Sequence, residues 1–201
     1  MDWIQESVKR SNKLKDHYKM QEIDIFIKDQ LPSHIDPDLV FSTFARLIPA
    51  HLLSGVDIIY VGQFDVFKEK KVNAVFQDGA IYVSNEQDSN QDMIDDIIHE
   101  LAHSVEEKFT QYIYNENDLK NEFLGKRKRL YDILNSYDYD PSPLIKTTYH
   151  YDEKIDMYFY EKVGYEAMWN LVNGLFPSPY STTSLREYFA VGFEQYFMGD
   201  K

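Results

Sequence analysis

The sequence contains no cysteine among its 201 residues. Disulfides and thiolate metal ligands are therefore excluded, and any bound metal must use histidine, aspartate or glutamate. No apolar run is long enough to span a membrane, and residues 1–20 lack the apolar core of a signal peptide. We expect a cytoplasmic protein by default, while a secreted form whose signal has been removed stays open.

Basic residues are scarce, since 21 Lys and Arg stand against 34 Asp and Glu and give a formal net charge of −13. Nucleic acids and anionic lipid surfaces attract proteins through Lys and Arg, so we expect neither as a partner. The one basic run, Lys126 to Arg129, is interpreted as the solvated face of a helix, with an acidic partner as the alternative. The charge hints at neutral or basic substrates, and it does not indicate an oligomeric state.

Glycine and proline are both absent between residues 91 and 110, and this stretch holds the most informative motif. Its apolar residues recur at helical spacing, which predicts an α-helix capped by Ser89 or Asn90. His99 and His103 lie four positions apart within it. On a helix this spacing places both imidazoles on one face, where they can hold one zinc ion.

Glu100 follows His99 directly and completes the pattern His-Glu-x-x-His. A carboxylate at this position can take a proton from a water molecule that attacks a carbonyl carbon. The motif therefore predicts a hydrolase in which zinc and Glu100 act together. Asp96 or a backbone carbonyl is a candidate to orient one of the zinc-binding histidines.

A catalytic zinc site needs a third protein ligand in addition to the two histidines. No His-x-x-Gly-x-x-His continuation follows His103, which leaves His150 and the glutamates near the C-terminal end as candidates. Glu187 and Glu194 lie seven positions apart among Phe and Tyr residues, so they share one face of a predicted helix. Spacing alone leaves the choice between them open.

The patterns along the rest of the chain predict an α+β fold with a small mixed sheet, N-terminal helices, the metal helix and a mainly helical C-terminal half. We expect a single domain whose sheet-containing half covers about residues 1–110 and whose helical half covers about 111–201. The strand Ile81 to Val83 is expected to border the active-site cleft as an edge strand, to which an extended peptide or protein substrate can add. Strands are predicted at 23–27, 56–61, 72–76 and 80–83, and the Asp78-Gly79 pair predicts that the last two form a hairpin. Helices are predicted at 2–19, 37–48, 119–135, 152–173 and 183–198, with Asp36 as the cap of the second and Ser181 or Thr182 as the cap of the last.

The last predicted helix carries Glu-Tyr-Phe-Ala-x-x-Phe starting at Glu187, and Tyr180 precedes this glutamate by seven positions. Together with His-Glu-x-x-His, the motif resembles the anthrax lethal factor catalytic domain and the Pro-Pro endopeptidases. The resemblance implies a zincin-like domain and a zinc metallopeptidase of the gluzincin type, with His99, His103 and Glu187 as zinc ligands. It also implies that Glu100 is the general base and that Tyr180 helps to stabilise the oxyanion. It covers these motifs and the strand order before them.

Two other functions are compatible with the same residues. The metal could hold two helices together in a non-catalytic structural or binding module of the same fold. The protein could also be a zinc hydrolase that acts on a non-peptide substrate. A structural zinc site needs neither Glu100 nor Tyr180, so a zinc-dependent endopeptidase is the leading hypothesis.

Overall fold

The computed structural model describes residues 16–145 and 148–199 of the chain. Over these residues the fold is α+β, as predicted, with one mixed five-stranded sheet and a larger share of helix. Two compact units are formed: one extends to Lys108 and includes the C-terminal residues from Phe197, and the other extends from Phe109 to Tyr196. Within the described ranges no helix is long and apolar enough to cross a membrane.

The sheet unit is built on five short strands in the spatial order β1-β2-β3-β5-β4. β2, β3 and β5 pair in parallel, whereas the outer pairs β1–β2 and β4–β5 are antiparallel. The bounds confirm the predicted strand at 23–27 and the predicted hairpin: β1 Asp16–Met20, β2 Ile23–Ile27, β3 Ile58–Val61, β4 Ala74–Gln77 and β5 Ala80–Val83.

The two faces of the sheet differ in burial because side chains alternate between them along each strand. In β2, Ile23, Ile25 and Ile27 are buried and the residues between them are half-buried, because successive side chains point to opposite faces. Across the second face the strand register places aromatic rings side by side, with ring centroids 4.6 to 6.0 Å apart. This row consists of His17, Phe26, Tyr60 and Tyr82.

β1 corrects the prediction of a surface helix at residues 2–19. Residues Asp16–Met20 pair with β2 through a tight turn in which Gln21 has a φ of 55°. Strand pairing in this hairpin, together with the pairing of β2 with the distant strand β3, overrides the local helical pattern. The rest of that predicted helix lies outside the described residues.

Within the β4–β5 hairpin, β4 is the strand that forms the edge of the sheet. This corrects the expectation that Ile81 to Val83 form an edge strand. β5 lies inside the sheet, with β3 on one side and β4 on the other. Ile81 and Val83 are fully buried, so this strand takes the interior position, whereas Phe76 and Gln77 of β4 are partly or fully exposed. Either strand of a hairpin can dock against a sheet, and local sequence does not decide which one does.

α1 spans Pro37–Leu47 and begins as predicted, with Pro37 in its first turn. The Asp36 side chain accepts a hydrogen bond from the Leu39 N–H and caps the helix. A 3₁₀ turn, Ala50–Gly55, follows and leads into β3.

Two further helices belong to this part of the chain. α2, Asp65–Lys70, was not predicted from the sequence. α3, Asn90–Tyr114, is the predicted metal helix, and Ser89 is its cap because its Oγ accepts the Asp92 N–H at 3.1 Å. The helix is interrupted at Phe109, where the backbone departs from helical φ and ψ.

The helical unit packs around a core that is rich in aromatic rings, as the 16 Tyr and 13 Phe of the sequence suggest. The predicted helix at 152–173 is in fact two helices, separated by a π-helical turn at Phe159–Val163 and by Gly164, whose φ is 83°. The helices are α4 Asp118–Ser136, α5 Glu153–Tyr158, α6 Tyr165–Val172 and α7 Leu185–Met198.

Arg127 corrects the interpretation of the basic run as a solvated face. It is 6% exposed, while Lys128 and Arg129 face solvent. Its Nη1 donates to the Thr148 carbonyl at 2.8 Å, and its guanidinium lies 5.4 Å from the Phe123 ring centroid. Burial lowers the pKa of Arg127 to about 10, because removing the charge from water disfavours the protonated form.

Candidate metal centre

The structure brings together the three residues that the sequence and the motif resemblance nominated as metal ligands. His99, His103 and Glu187 each offer one ligand atom, and these atoms all lie within 4.8 Å of one another. Tetrahedral zinc ligands at about 2.0–2.2 Å from the ion stand roughly 3.3 Å apart, which lies within the 4.8 Å limit on the separation of these atoms. Two imidazoles and one carboxylate are a chemically suitable donor set, and the cluster could bind a metal ion.

The two histidines reach this arrangement because α3 is regular at their positions. Their ring centroids lie 5.0 Å apart at an interplanar angle of 86°. The apolar stripe of the same helix is buried, which fixes the rotation of the helix about its axis: Met93, Ile97, Ile98 and Leu101 are fully buried. His103 is buried and His99 is half-buried.

Glu106 is a residue of the site that sequence reasoning missed. Its Oε2 lies 3.7 Å from Nδ1 of His103, and both side chains are largely buried. The distance is longer than a hydrogen bond, but a closer approach of this carboxylate to Nδ1 would orient the ring and leave Nε2 for a metal ion. The signal was available in the sequence, since a glutamate three positions after a histidine lies on the same helix face.

Glu100 is buried and is held by the backbone of the edge strand. Its Oε2 accepts a hydrogen bond from the Phe76 N–H at 2.6 Å. Successive residues of a strand direct their backbone N–H and C=O groups to opposite sides. The Asn73 carbonyl accepts the Ser84 N–H and so faces β5, which means that Phe76, three residues later, directs its backbone groups away from β5. The candidate base therefore lies at the β4 edge of the sheet, beside which the described residues place no further strand.

Asp96, the candidate to orient a histidine, has a partner that the sequence did not indicate. Its Oδ2 accepts a hydrogen bond from Nε2 of Gln87 at 2.9 Å. Burial raises the pKa of Asp96, and the hydrogen bond from Gln87 partly opposes that rise. An orienting role of Asp96 toward a metal-binding histidine stays a prediction.

Glu187 lies in the first turn of α7, which is capped one residue before it begins. The Ser184 Oγ accepts the Glu187 N–H at 3.1 Å, so the cap fixes the backbone of the candidate ligand. The predicted caps Ser181 and Thr182 instead bond within the preceding turn. Glu187 is itself buried, at 9% exposure, which suits a carboxylate that binds a metal ion.

Three other residues were candidates for the site: His150 and Glu194 as metal ligands, and Tyr180 as a hydrogen-bond donor to the oxyanion. Among the described residues, neither His150 nor Glu194 joins the metal cluster. Tyr180 begins the 3₁₀ turn Tyr180–Thr182 that precedes α7, and its side chain is 38% exposed. Its proposed contact with an oxyanion stays a prediction.

Compared with known proteins, the chain matches no protein-family model, no curated protein and no solved structure. The resemblance to the lethal factor catalytic domain and the Pro-Pro endopeptidases therefore rests on the motif residues alone.

Proposed function

We propose that this protein is a zinc-dependent endopeptidase of the gluzincin type. The observation that carries the proposal is the cluster of His99, His103 and Glu187, whose ligand atoms lie within 4.8 Å of one another, with the buried Glu100 next to His99 in sequence. Two histidines and one carboxylate leave a fourth position open, which is the composition of catalytic rather than structural zinc sites.

A zinc ion held by these three residues would acidify water and polarise a substrate carbonyl. Glu100 is the residue that takes the proton of the attacking water and passes it to the leaving amine. Its Oε2 is engaged by the Phe76 N–H, so Oε1 is the oxygen that remains for this proton transfer. The fixed carboxylate needs little reorganisation during the reaction, which favours catalysis.

Tyr180 is proposed to donate a hydrogen bond to the oxyanion that develops on the scissile carbonyl. The proposal is supported by its offset of seven residues from Glu187 and by its exposed side chain. One such donor is worth a few kcal/mol of the barrier.

The substrate is proposed to be an extended peptide segment that adds to the open edge of β4. Strand addition uses backbone hydrogen bonds and so accepts many side chains. The Phe76 N–H already donates to Glu100, so the peptide would pair with the Ala74 backbone and the Phe76 carbonyl. This arrangement would place the scissile bond beside the base. The net charge of −13 favours neutral or basic substrates.

The test replaces Glu100 by glutamine, which keeps the size of the side chain and removes its basicity. We expect the purified protein to contain about one zinc per chain and to cleave members of a random peptide library. Glu100→Gln should retain zinc and lose roughly a hundred- to ten-thousand-fold in cleavage rate, as is typical for a lost general base. Elemental analysis measures the metal, and mass spectrometry of the library measures cleavage.

The control is Glu107→Gln, an exposed carboxylate on the same helix, which should keep both zinc and activity. Unchanged cleavage by Glu100→Gln would contradict the role of the base. Stoichiometric zinc with no cleavage of any peptide would favour the non-catalytic structural or binding module. Hydrolysis of ester substrates with no peptide cleavage would favour a zinc hydrolase of another class.

A further inference from the structure

The helical unit contains a cleft of about 610 Å³ that is formed by residues other than those of the metal cluster. Cavities of about 300–1,000 Å³ are typical of small-molecule sites. Apolar side chains form part of its wall, among them Tyr139, Pro143 and Met157. The remaining lining is polar or charged, so the cleft combines an apolar wall with a few groups that could orient a ligand.

Tyr158 lines this cleft and is the strongest sign that something binds there. Its side chain is 8% exposed, and its hydroxyl is buried with no hydrogen-bond partner in the part of the chain that the structure describes. A buried hydroxyl without a partner is unfavourable, because it gives up its hydrogen bonds with water and gains none in the protein. Burial raises the pKa of Tyr158, with further contributions from Asp140 and Tyr139, so the hydroxyl stays protonated. Both neighbours line the same cleft as Tyr158.

The backbone beside the cleft is also irregular. Glu161 and Lys162, which line it, belong to the π-helical turn Phe159–Val163. π-Helical turns are rare and occur frequently at functional sites, because they aim side chains that a regular α-helix would place elsewhere. This irregularity is independent of the unpartnered hydroxyl.

Charges of both signs line the cleft. Lys154 and Lys162 supply ammonium groups, and Asp138 and Glu161 supply carboxylates. The side chains of these four residues form neither a salt bridge nor a hydrogen bond with any other described residue. They are therefore available to a ligand, in contrast to Asp140, whose two oxygens accept hydrogen bonds from Ser142.

We propose that this cleft is a binding site for a short peptide with free termini. The ligand carboxylate would pair with Lys154 or Lys162, its ammonium group with Asp138 or Glu161, and a backbone carbonyl would accept the Tyr158 hydroxyl. A lone anion or cation would leave one set of charges unused, whereas a zwitterion of this size uses both. A peptide side chain would pack against the apolar wall, which extends the contact beyond the charged ends.

The probe is trialanine, compared by calorimetry with N-acetyl-trialanine amide, which has the same backbone without terminal charges. The full chain carrying Glu100→Gln is used so that the peptide stays intact. We expect trialanine to bind and the blocked peptide to bind at least about tenfold more weakly, since both charged ends are lost. Lys154→Gln combined with Lys162→Gln should weaken trialanine binding roughly tenfold, and both positions are exposed, so folding is unaffected.

Tyr158→Phe gives a readout that a purely structural tyrosine would not give. It should weaken trialanine binding roughly fivefold while leaving the melting temperature of the free protein unchanged or higher, because the deleted hydroxyl has no partner. Tyr160→Phe, at an exposed tyrosine outside the cleft lining, is the matched control and should change neither quantity. Equal binding of the two peptides, no binding of trialanine, or full affinity in both the double lysine variant and Tyr158→Phe would overturn the proposal.

Discussion

Glu187 and Glu194 are chemically identical and share one face of α7, yet only Glu187 has an oxygen within 4.8 Å of the ligand atoms of His99 and His103. Seven helical residues correspond to about 10 Å along the axis, so the two carboxylates cannot serve one ion in the same way. The first-turn position, fixed by the Ser184 cap, distinguishes the candidate ligand from its neighbour two turns later.

Glu187→Ala should therefore lower zinc affinity by more than the roughly 10- to 100-fold that is typical for loss of an outer-sphere partner. Glu194→Ala is the matched control and should change zinc affinity by less than about tenfold, because it removes at most such a partner. A titration against a competing chelator measures both variants on one scale. A larger loss in Glu194→Ala would move the ligand assignment and would remove the basis for the role of Tyr180.

At the scale of secondary-structure elements, the metal helix α3 is approached closely by the 3₁₀ turn Ala50–Gly55. A Cβ atom at Gly55 would lie 2.4 Å from Oγ of Ser104 and 3.5 Å from the Ser104 carbonyl oxygen. Lys108 donates to the Ser54 carbonyl at 2.7 Å and ties the same two elements together. The absence of a side chain at Gly55 is thus what permits the contact with the helix that carries both histidines.

Gly55→Ala should destabilise the protein by about 1–3 kcal/mol, as is typical of overpacking. Ser104→Ala should rescue most of that loss in the double variant, because it removes the atom that clashes, and the Ser104 hydroxyl has no hydrogen-bond partner within the described ranges. Urea denaturation of the two single variants and the double variant measures the coupling between the positions.

Gly125→Ala is the control for this cycle. Nothing lies within 4 Å of a Cβ atom at Gly125, and the residue is inside α4. The substitution should stabilise the protein by about 0.5–1 kcal/mol, because alanine loses less backbone entropy than glycine in a helix. Additive effects of Gly55→Ala and Ser104→Ala would show that the close approach is not the cause of the destabilisation.

At the scale of the whole molecule, the dominant property is the net charge of −13. Excess charge of one sign repels itself in the compact state, and salt screens this repulsion with a Debye length of about 10 Å at 0.1 M. The acidic excess is thus expected to lower stability at low ionic strength.

Raising sodium chloride from about 20 mM to about 500 mM at pH 7 should therefore raise the melting temperature by a few degrees. The same change near pH 4.8, the isoelectric point of the sequence, should have a much smaller effect because the net charge is then close to zero. Calorimetry at both pH values measures the difference. A melting temperature that falls with salt at pH 7 would mean that attractive ion pairs outweigh the net repulsion.

The sequence by itself determined the features that depend on local periodicity. The repeat of apolar residues predicted α3 and placed His99 and His103 on one face, and the Asp-Gly pair predicted the β4–β5 hairpin. The capping of α1 by Asp36 was also predictable, because the Asp36 side chain bonds to Leu39, only three positions away. These predictions succeeded because helix and hairpin geometry relates residues only a few positions apart. Glu187 was preferred to Glu194 on the basis of the motif resemblance, because local spacing left that choice open.

Only the tertiary structure decided the features that join distant parts of the chain. It gave β5 an interior position, buried Arg127 within a basic run, and joined the Phe76 N–H to the Glu100 carboxylate across 24 positions. No local pattern contains this information, because each of these outcomes depends on which surfaces pack together when the chain folds and on the burial that this packing imposes.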